Sequence, residues 1–156
     1  MNSKPDNFGI KFWLAVDTTS KHLVNSFPYI GRDEERPAGV PLSEHVVMRL
    51  AEPYLSKGRS ITCDNFFTGK SLGENSKRKS TMIVGTLEMS SREVPPSAKS
   101  PAMPLHSTII CKSGEMTLTS YQCTKNNNVL LLTTIHNTVT INERHQKKLP
   151  KTVMFL

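Results

Sequence analysis

The chain has 156 residues, of which 20 are Lys or Arg and 13 are Asp or Glu, so its formal net charge at pH 7 is +7. This excess of positive charge favours a polyanionic partner, for which nucleic acid is the first candidate. No apolar run approaches the roughly 18 residues of a membrane-spanning helix, and the polar N-terminus lacks the apolar core of a signal peptide, so we expect neither membrane insertion nor secretion.

A β-hairpin is the first element that the sequence predicts. Residues 9–17 are rich in β-forming residues and almost continuously apolar, which is typical of a strand buried on both faces. Residues 17–21 have the composition of a turn. We therefore expect a second strand over 22–30, paired antiparallel with the first.

A helix and a short strand follow the hairpin. Apolar residues at helical spacing predict an amphipathic helix over 44–55, with Ser43 as its N-cap. Pro53 should kink this helix or end it early. Residues 60–63 predict a strand, and the succession of hairpin, helix and strand indicates a mixed α/β sheet.

The next helix is weakly encoded. It is expected over 68–79, where Leu72 is its one large apolar residue and both Gly69 and Gly73 disfavour helix. Residues 81–87 predict another strand of the buried type.

The second half of the chain is rich in β-forming residues. Four prolines between residues 95 and 104 mark a linker or an irregular crossing. Residues 107–112, 116–122 and 129–135 predict three strands of a β-meander, and 139–141 are a further candidate strand. The cysteines are three in number and far apart, which predicts reduced, packed thiols and neither a disulfide framework nor a zinc site.

Asp64 is the clearest candidate for a functional residue. It directly follows the predicted strand over 60–63, and functional groups of open α/β sheets collect at the carboxyl ends of strands. A carboxylate there suits Mg²⁺ or Mn²⁺, but a two-ion centre for phosphoryl transfer needs further acids. The candidate partners are Asp17, Asp33, Glu34 and Glu35. On spacing alone, the competing interpretation of Asp64 is a helix N-cap.

Two basic clusters are candidate DNA contacts. Their members are Lys77, Arg78 and Lys79 in the first cluster, and Arg144, Lys147 and Lys148 in the second. Neither cluster has interleaved aromatic residues, so stacking on single-stranded bases is not indicated, whereas contact with duplex phosphates is. An ordinary solvated surface is the alternative.

Several segments carry a family resemblance because they occur in the same order as in that family. They are residues 7–17, 27–31, 39–47, 61–67, 83–86, 92–95 and 117–121. These segments are similar to the piggyBac-type transposases, and the similarity extends over residues 4–156. No single motif decides the matter, but the ordered set is specific.

The resemblance implies a chemistry for Asp64. Members of this family have an RNase H-like core with three metal-binding aspartates, and they cut DNA with Mg²⁺. Asp64, within Ile61-Thr-Cys-Asp-Asn65, matches the second of the three. The resemblance places the first aspartate upstream of the chain's opening segment and the third shortly after residue 156. Asp17 matches an aspartate that the family does not use as a ligand.

We therefore predict an α/β fold, namely an incomplete RNase H-like mixed sheet with helices and an inserted β-meander subdomain. The predicted divisions are a partial transposase core over 1–94, a β-rich insertion over 95–145 and a return segment over 146–156.

The predicted function is that of a transposon-derived, piggyBac-like protein without transposase activity. It would be no enzyme and would have no cofactor of its own, although its family uses Mg²⁺. Its expected partner is DNA, and its expected compartment is the nucleus by resemblance, or the cytoplasm. Two alternatives stay open: part of an active Mg²⁺-dependent DNA transposase whose other aspartates lie outside this chain, and a non-catalytic protein-interaction module. The oligomeric state is also open.

Overall fold

The computed structural model describes residues 9–31, 35–99, 103–125 and 127–140. The chain divides into two compact units, Met1–Tyr54 and Leu55–Leu156. Within the described ranges, no helix is both long enough and apolar enough to cross a bilayer.

The first unit contains the expected hairpin. Strands β1 (Lys11–Val16) and β2 (Leu23–Tyr29) pair antiparallel, with Trp13 opposite Phe27. Helix α1 (Leu42–Ala51) follows and continues into a short 3-10 helix, Glu52–Tyr54. The predicted hairpin and helix are confirmed.

The prediction that β1 is buried on both faces is wrong. Trp13 is 7% exposed, whereas Phe12, Leu14 and Val16 on the alternate face are 51%, 56% and 48% exposed. The buried face lies towards α1, because the Asn25 side chain donates a hydrogen bond to the Leu50 carbonyl (2.9 Å). Helix α1 and the 3-10 helix that continues it are the helical elements among the described residues of this unit, and one face of the hairpin is left exposed.

Helix α1 differs from the prediction only at its N-terminal end. The helix begins earlier than expected, so Ser43 lies inside its first turn, and Pro41 at the N-cap makes no side-chain capping bond. At the other end, Pro53 has no N–H to continue the α-helical hydrogen bonds, and the chain tightens into the 3-10 turn. The early end was predicted, and the Ser43 cap was not found.

The second unit is built on a five-stranded mixed sheet. Its elements are β3 (Ser60–Cys63), α2 (Lys70–Arg78), β4 (Met82–Thr86), β5 (Thr108–Ser113), β6 (Met116–Thr124) and β7 (Asn127–Thr133), with a 3-10 helix over Pro96–Lys99. The strand order is β3-β4-β7-β6-β5, in which β3 and β4 are parallel and all other neighbours are antiparallel.

The three late strands form the predicted meander, and they join the sheet through the pairing of β7 with β4. A core forms on one face of this sheet. Its buried members are Leu87, Val94, Ala98, Met116, Leu118, Leu130 and Leu132. The predicted boundary between residues 94 and 95 concerns an insertion into an ancestral core and stays a prediction. Val139 and Thr140 are in no strand, and Ile141 lies outside the described residues.

Helix α2 packs closely against the sheet. Leu72 and Ser76 are completely buried. A Cβ placed on Gly73 would lie 2.9 Å from the Met116 sulfur and 3.6 Å from a Thr134 methyl carbon, so the glycine allows the helix to approach the sheet closely. The weak helix signal at this position therefore reflects a packing requirement.

Candidate functional site

Asp64 lies where the sequence predicts it, immediately after β3 and with its side chain exposed. Its carbonyl oxygen accepts hydrogen bonds from the Phe67 N–H (3.0 Å), the Thr68 N–H (3.1 Å) and the Thr68 hydroxyl (2.9 Å). Its Oδ1 accepts a hydrogen bond from the Asn65 N–H (2.7 Å). The backbone of Asp64 is thus fixed by a tight turn, while its carboxylate faces solvent.

Asp64 is not the N-cap of α2, which overturns the competing interpretation. The helix begins at Lys70, its N-cap is Gly69, and no side chain bonds from the capping position. The Glu93 carboxylate takes that role from outside the helix, because its Oε2 accepts a hydrogen bond from the Lys70 N–H (2.6 Å). A carboxylate at a helix N-terminus is favoured by the helix dipole as well as by the hydrogen bond.

The turn that follows Asp64 packs against Gly85 on β4. Gly85 pairs with Cys63 in the parallel register of β3 and β4. A Cβ on Gly85 would overlap the Thr68 hydroxyl oxygen and would lie 2.7 Å from the Cys63 carbonyl oxygen. Because real Cβ atoms do not approach so closely, only glycine lets the turn from Asp64 to Thr68 rest on β4 in this position.

The other candidate acids have different roles. The Asp17 Oδ1 accepts hydrogen bonds from the Thr19 and Ser20 N–H groups (3.1 and 2.6 Å), which closes the β1–β2 turn. Glu35 forms an ion pair with Arg49 (3.3 Å). Asp33 and Glu34 lie outside the described residues. Nowhere in the described part of the chain do three His, Cys, Asp or Glu side chains gather as a metal site would require.

The cysteines confirm the prediction of free thiols. Cys63, directly before Asp64, is buried. Its burial raises the pKa of the thiol from 9.0 to about 12. The group therefore stays protonated at neutral pH, where it is neither a nucleophile nor a ready metal ligand.

The first basic cluster lies at the opposite end of the sheet from Asp64. Lys77 and Arg78 end α2, and Lys79 follows them, just before the start of β4. Lys77 forms an ion pair with Glu115 (2.5 Å), and Arg78 donates a hydrogen bond to the Asn75 side chain (3.0 Å). Since β3 and β4 are parallel, this cluster is at their amino ends, whereas Asp64 is at the carboxyl end. The second cluster, Arg144, Lys147 and Lys148, lies outside the described residues.

Two residues that shape this site escaped the sequence analysis. Glu93 had no local signal, because it caps a helix that begins 23 positions earlier in the chain. Gly85 stood in a β-rich run, where an isolated glycine signals a bulge or a close backbone approach. That rule predicts a close approach at Gly85, but it does not identify Thr68 as the residue that approaches.

Comparisons with known proteins give a consistent identification. A family model described as Transposase IS4 matches residues 1–155. A cryo-EM structure described as a piggyBac transposase synaptic complex with hairpin DNA is similar to this chain, with a TM-score of 0.87 and 35% sequence identity. The match covers 99% of this chain and 32% of that one, so the chain spans about a third of the length of that transposase. A search of curated proteins gave no match.

These matches confirm the resemblance and the α/β fold with a mixed sheet that the sequence predicted. They also correct one expectation. The prediction that this protein is not an enzyme is wrong, since the family model and the similar structure both describe transposases, which are enzymes.

Proposed function

The chain belongs to the transposase family described as Transposase IS4, and we propose that it forms the part of a Mg²⁺-dependent DNA transposase that contributes Asp64 to the catalytic centre. The observation that supports this proposal most directly is the exposed carboxylate at the carboxyl end of β3, held on a hydrogen-bonded turn. Transposition of DNA requires phosphodiester bonds to be cut and joined, which is phosphoryl transfer.

The chemistry of Asp64 fits one position in a magnesium site. Mg²⁺ prefers oxygen ligands and is commonly held by one or two carboxylates together with substrate phosphates. Of the two carboxylate oxygens, only Oδ1 accepts a hydrogen bond among the described residues. Because no cluster of three ligands surrounds Asp64 there, the proposal requires further carboxylates from outside the described ranges.

The chain's own contribution is to present one carboxylate with little freedom. Three hydrogen bonds fix the carbonyl of Asp64, and the Asn65 N–H orients its side chain. Because Gly85 has no side chain, this turn packs directly against β4. A bound Mg²⁺ supplies charge stabilisation for the phosphate under attack, and a carboxylate fixed in advance spares the reaction the cost of ordering it.

Paramagnetic broadening by Mn²⁺ tests the role of Asp64. We expect titration of the ¹⁵N-labelled chain with Mn²⁺ to broaden the amide signals of residues 64–68 first, because Mn²⁺ takes the same oxygen ligands as Mg²⁺. Asp64→Asn should abolish this local broadening. The control is Glu88→Gln, which neutralises another exposed carboxylate in the same unit and should leave the broadening intact.

Equal broadening in the wild type and in Asp64→Asn would contradict the proposal. So would broadening centred elsewhere in the second unit, since it would place the preferred cation site away from Asp64.

We propose, second, that the chain contacts DNA phosphates through its basic clusters and that it works in the nucleus. Arg78 and Lys79 are exposed at the end of α2, and the similar transposase was solved with hairpin DNA. The proposed contacts are Lys77, Arg78, Lys79, Arg144, Lys147 and Lys148. A gel-shift titration over NaCl concentration tests this, because affinity based on phosphate contacts falls as salt rises. An affinity that does not depend on salt, or that survives substitution of all six residues by alanine, would refute it.

A further inference from the structure

The loop before β3 lies beside the segment that leads into β4. The Ser56 N–H donates a hydrogen bond to the Lys79 carbonyl (2.8 Å), and the Met82 N–H donates one to the Arg59 carbonyl (2.9 Å). These two bonds join stretches that are more than 20 residues apart in sequence. Lys57 and Arg59 are thereby brought to the same end of the sheet as Lys79.

The backbone geometry fixes how these two stretches meet. Ser56 and Ser80 both adopt the left-handed region, with φ of 59° and 47°, and so does Gly58, with φ of 65°. Residues other than glycine adopt this region rarely. These turns and the two backbone hydrogen bonds therefore hold residues 56–59 beside residues 79–82.

The resulting surface concentrates positive charge. We call it the amino-end patch, and its members are Lys57, Arg59, Lys77, Arg78 and Lys79. They are five of the ten Lys and Arg residues among the described residues of the second unit. The Glu115 carboxylate forms an ion pair with the patch, through Lys77.

The patch is well separated from Asp64. Five residue steps along β3 lie between Arg59 and Asp64, which at roughly 3.3 Å per residue corresponds to about 16 Å. The two features occupy opposite ends of the parallel pair of β3 and β4. A phosphate held at the patch is therefore not the phosphate presented to Asp64.

We propose that the amino-end patch binds the sugar-phosphate backbone of duplex DNA, with Lys57 and Arg59 as contacts, at a position separate from the bond that is cut. The inference rests on the proposed DNA-binding function and extends it to two residues and to a location. Duplex DNA carries a regular array of phosphates, with one negative charge per roughly 1.7 Å of helix axis, and Arg forms paired hydrogen bonds to phosphate. The patch contains no aromatic side chain on which unpaired bases would stack, which disfavours single strands.

The test is the salt dependence of binding to a fluorescein-labelled 20-base-pair duplex of arbitrary sequence, measured by anisotropy in EDTA. Each phosphate that the protein ceases to neutralise should reduce the magnitude of the slope of log K against log[NaCl] by roughly 0.9. We expect Lys57→Ala with Arg59→Ala to reduce it by the equivalent of about two phosphates. The charge-conserving pair Lys57→Arg with Arg59→Lys should retain most of the slope, which separates removal of charge from misfolding.

One control belongs to the same titration. Lys125→Ala removes an exposed lysine from the β6–β7 turn, at the other end of the sheet, and should leave the slope unchanged.

Three results would overturn the inference even if the chain binds DNA. The first is an unchanged slope in the Lys57/Arg59 double variant while Arg78→Ala with Lys79→Ala lowers it; this would leave the proposed DNA binding intact but exclude the two new residues. The second is an equal effect of Lys125→Ala, and the third is tighter binding of a single strand than of the duplex. Failure of the chain to bind DNA at all would refute both DNA-binding proposals and leave the Mn²⁺ test of Asp64 to stand separately.

Discussion

Gly85→Ala is the most informative single change in the second unit. The added Cβ would overlap the Thr68 hydroxyl oxygen and lie 2.7 Å from the Cys63 carbonyl oxygen, where 3.4 Å is an ordinary contact. The side chain of Thr68 can rotate away, but the Cys63 carbonyl belongs to a strand paired with β4. Either the strands separate locally by about 0.7 Å or the turn that carries Asp64 lifts from the sheet.

The expected decrease in stability follows from three contributions. Overpacking of a well-packed site costs about 1–3 kcal/mol, and removal of the hydrogen bond from Thr68 to the Asp64 carbonyl costs about 1 kcal/mol. Replacing glycine by alanine returns roughly 0.4–1 kcal/mol by restricting the unfolded chain. We therefore expect a net decrease of about 1–3.6 kcal/mol in the free energy of unfolding.

Urea denaturation measures this decrease, and Gly73→Ala is the matched control. A Cβ on Gly73 would be 2.9 Å from the Met116 sulfur, which sits near the end of a flexible side chain and can move. Alanine also gains about 1 kcal/mol over glycine within a helix. Gly73→Ala should thus lie within about 1 kcal/mol of the wild type, well above Gly85→Ala in stability.

A double-mutant cycle with Thr68→Ala checks the cause. Once the Thr68 hydroxyl is removed, part of the overlap with the new methyl disappears, so the two changes together should cost less than their separate costs combined. The amide shifts of residues 65–68 should also move in Gly85→Ala. The reasoning would be refuted by additive costs, by wild-type stability of Gly85→Ala, or by a larger decrease in Gly73→Ala.

Three further predictions concern neighbouring groups. Glu93→Ala should cost about 0.5–2 kcal/mol and speed hydrogen exchange in the first turn of α2, because the Lys70 N–H is deprived of its acceptor; exchange unchanged from the wild type would contradict the cap. The stability advantage of the wild type over Cys63→Ala should be complete below pH 9 and should fall by up to about 4 kcal/mol towards pH 12, because the unfolded thiol ionises first; an advantage that does not depend on pH would exclude this. Leu72→Ala should cost about 2–5 kcal/mol by thermal or urea unfolding, because Leu72 is completely buried; a cost below about 1 kcal/mol would mean that the helix is not docked as described.

Local sequence was sufficient for the elements but not for their environment. The β-forming run over 9–17 predicted β1, yet its nearly continuous apolar character also suggested two covered faces, and the face with Phe12, Leu14 and Val16 is exposed. Periodicity reports which residues share a face, whereas burial depends on what other parts of the chain place against it. The same limit applies to Gly73, whose use depends on Met116 and Thr134, more than 40 residues further along the chain.

For the candidate site, too, the sequence predicted the positions of single residues but not which of them lie together. Asp64 could be placed at a strand end from its neighbours alone, and Lys77, Arg78 and Lys79 are visible as a contiguous run. That Lys57 and Arg59 join them depends on the parallel pairing of β3 with β4, which brings the starts of both strands together. The separation of this patch from Asp64 follows from the same pairing. The order of residues along the chain leaves open whether the acid and the cations share one surface.

The wrong prediction about enzymatic activity has a related physical cause. It was drawn from the number of acids that matched the family pattern, but the carboxylates of a metal centre come from different strands and converge only in the folded protein. A count of acidic residues in one segment therefore does not give the number of carboxylates at the metal centre. This chain spans about a third of the transposase it resembles. What the structure of this segment does show is how Asp64 is held. Asp64 is exposed, its carbonyl accepts three hydrogen bonds, and its turn packs against Gly85, where a side chain would not fit. The proposed binding of Mg²⁺ would therefore require little reordering of the backbone around this carboxylate.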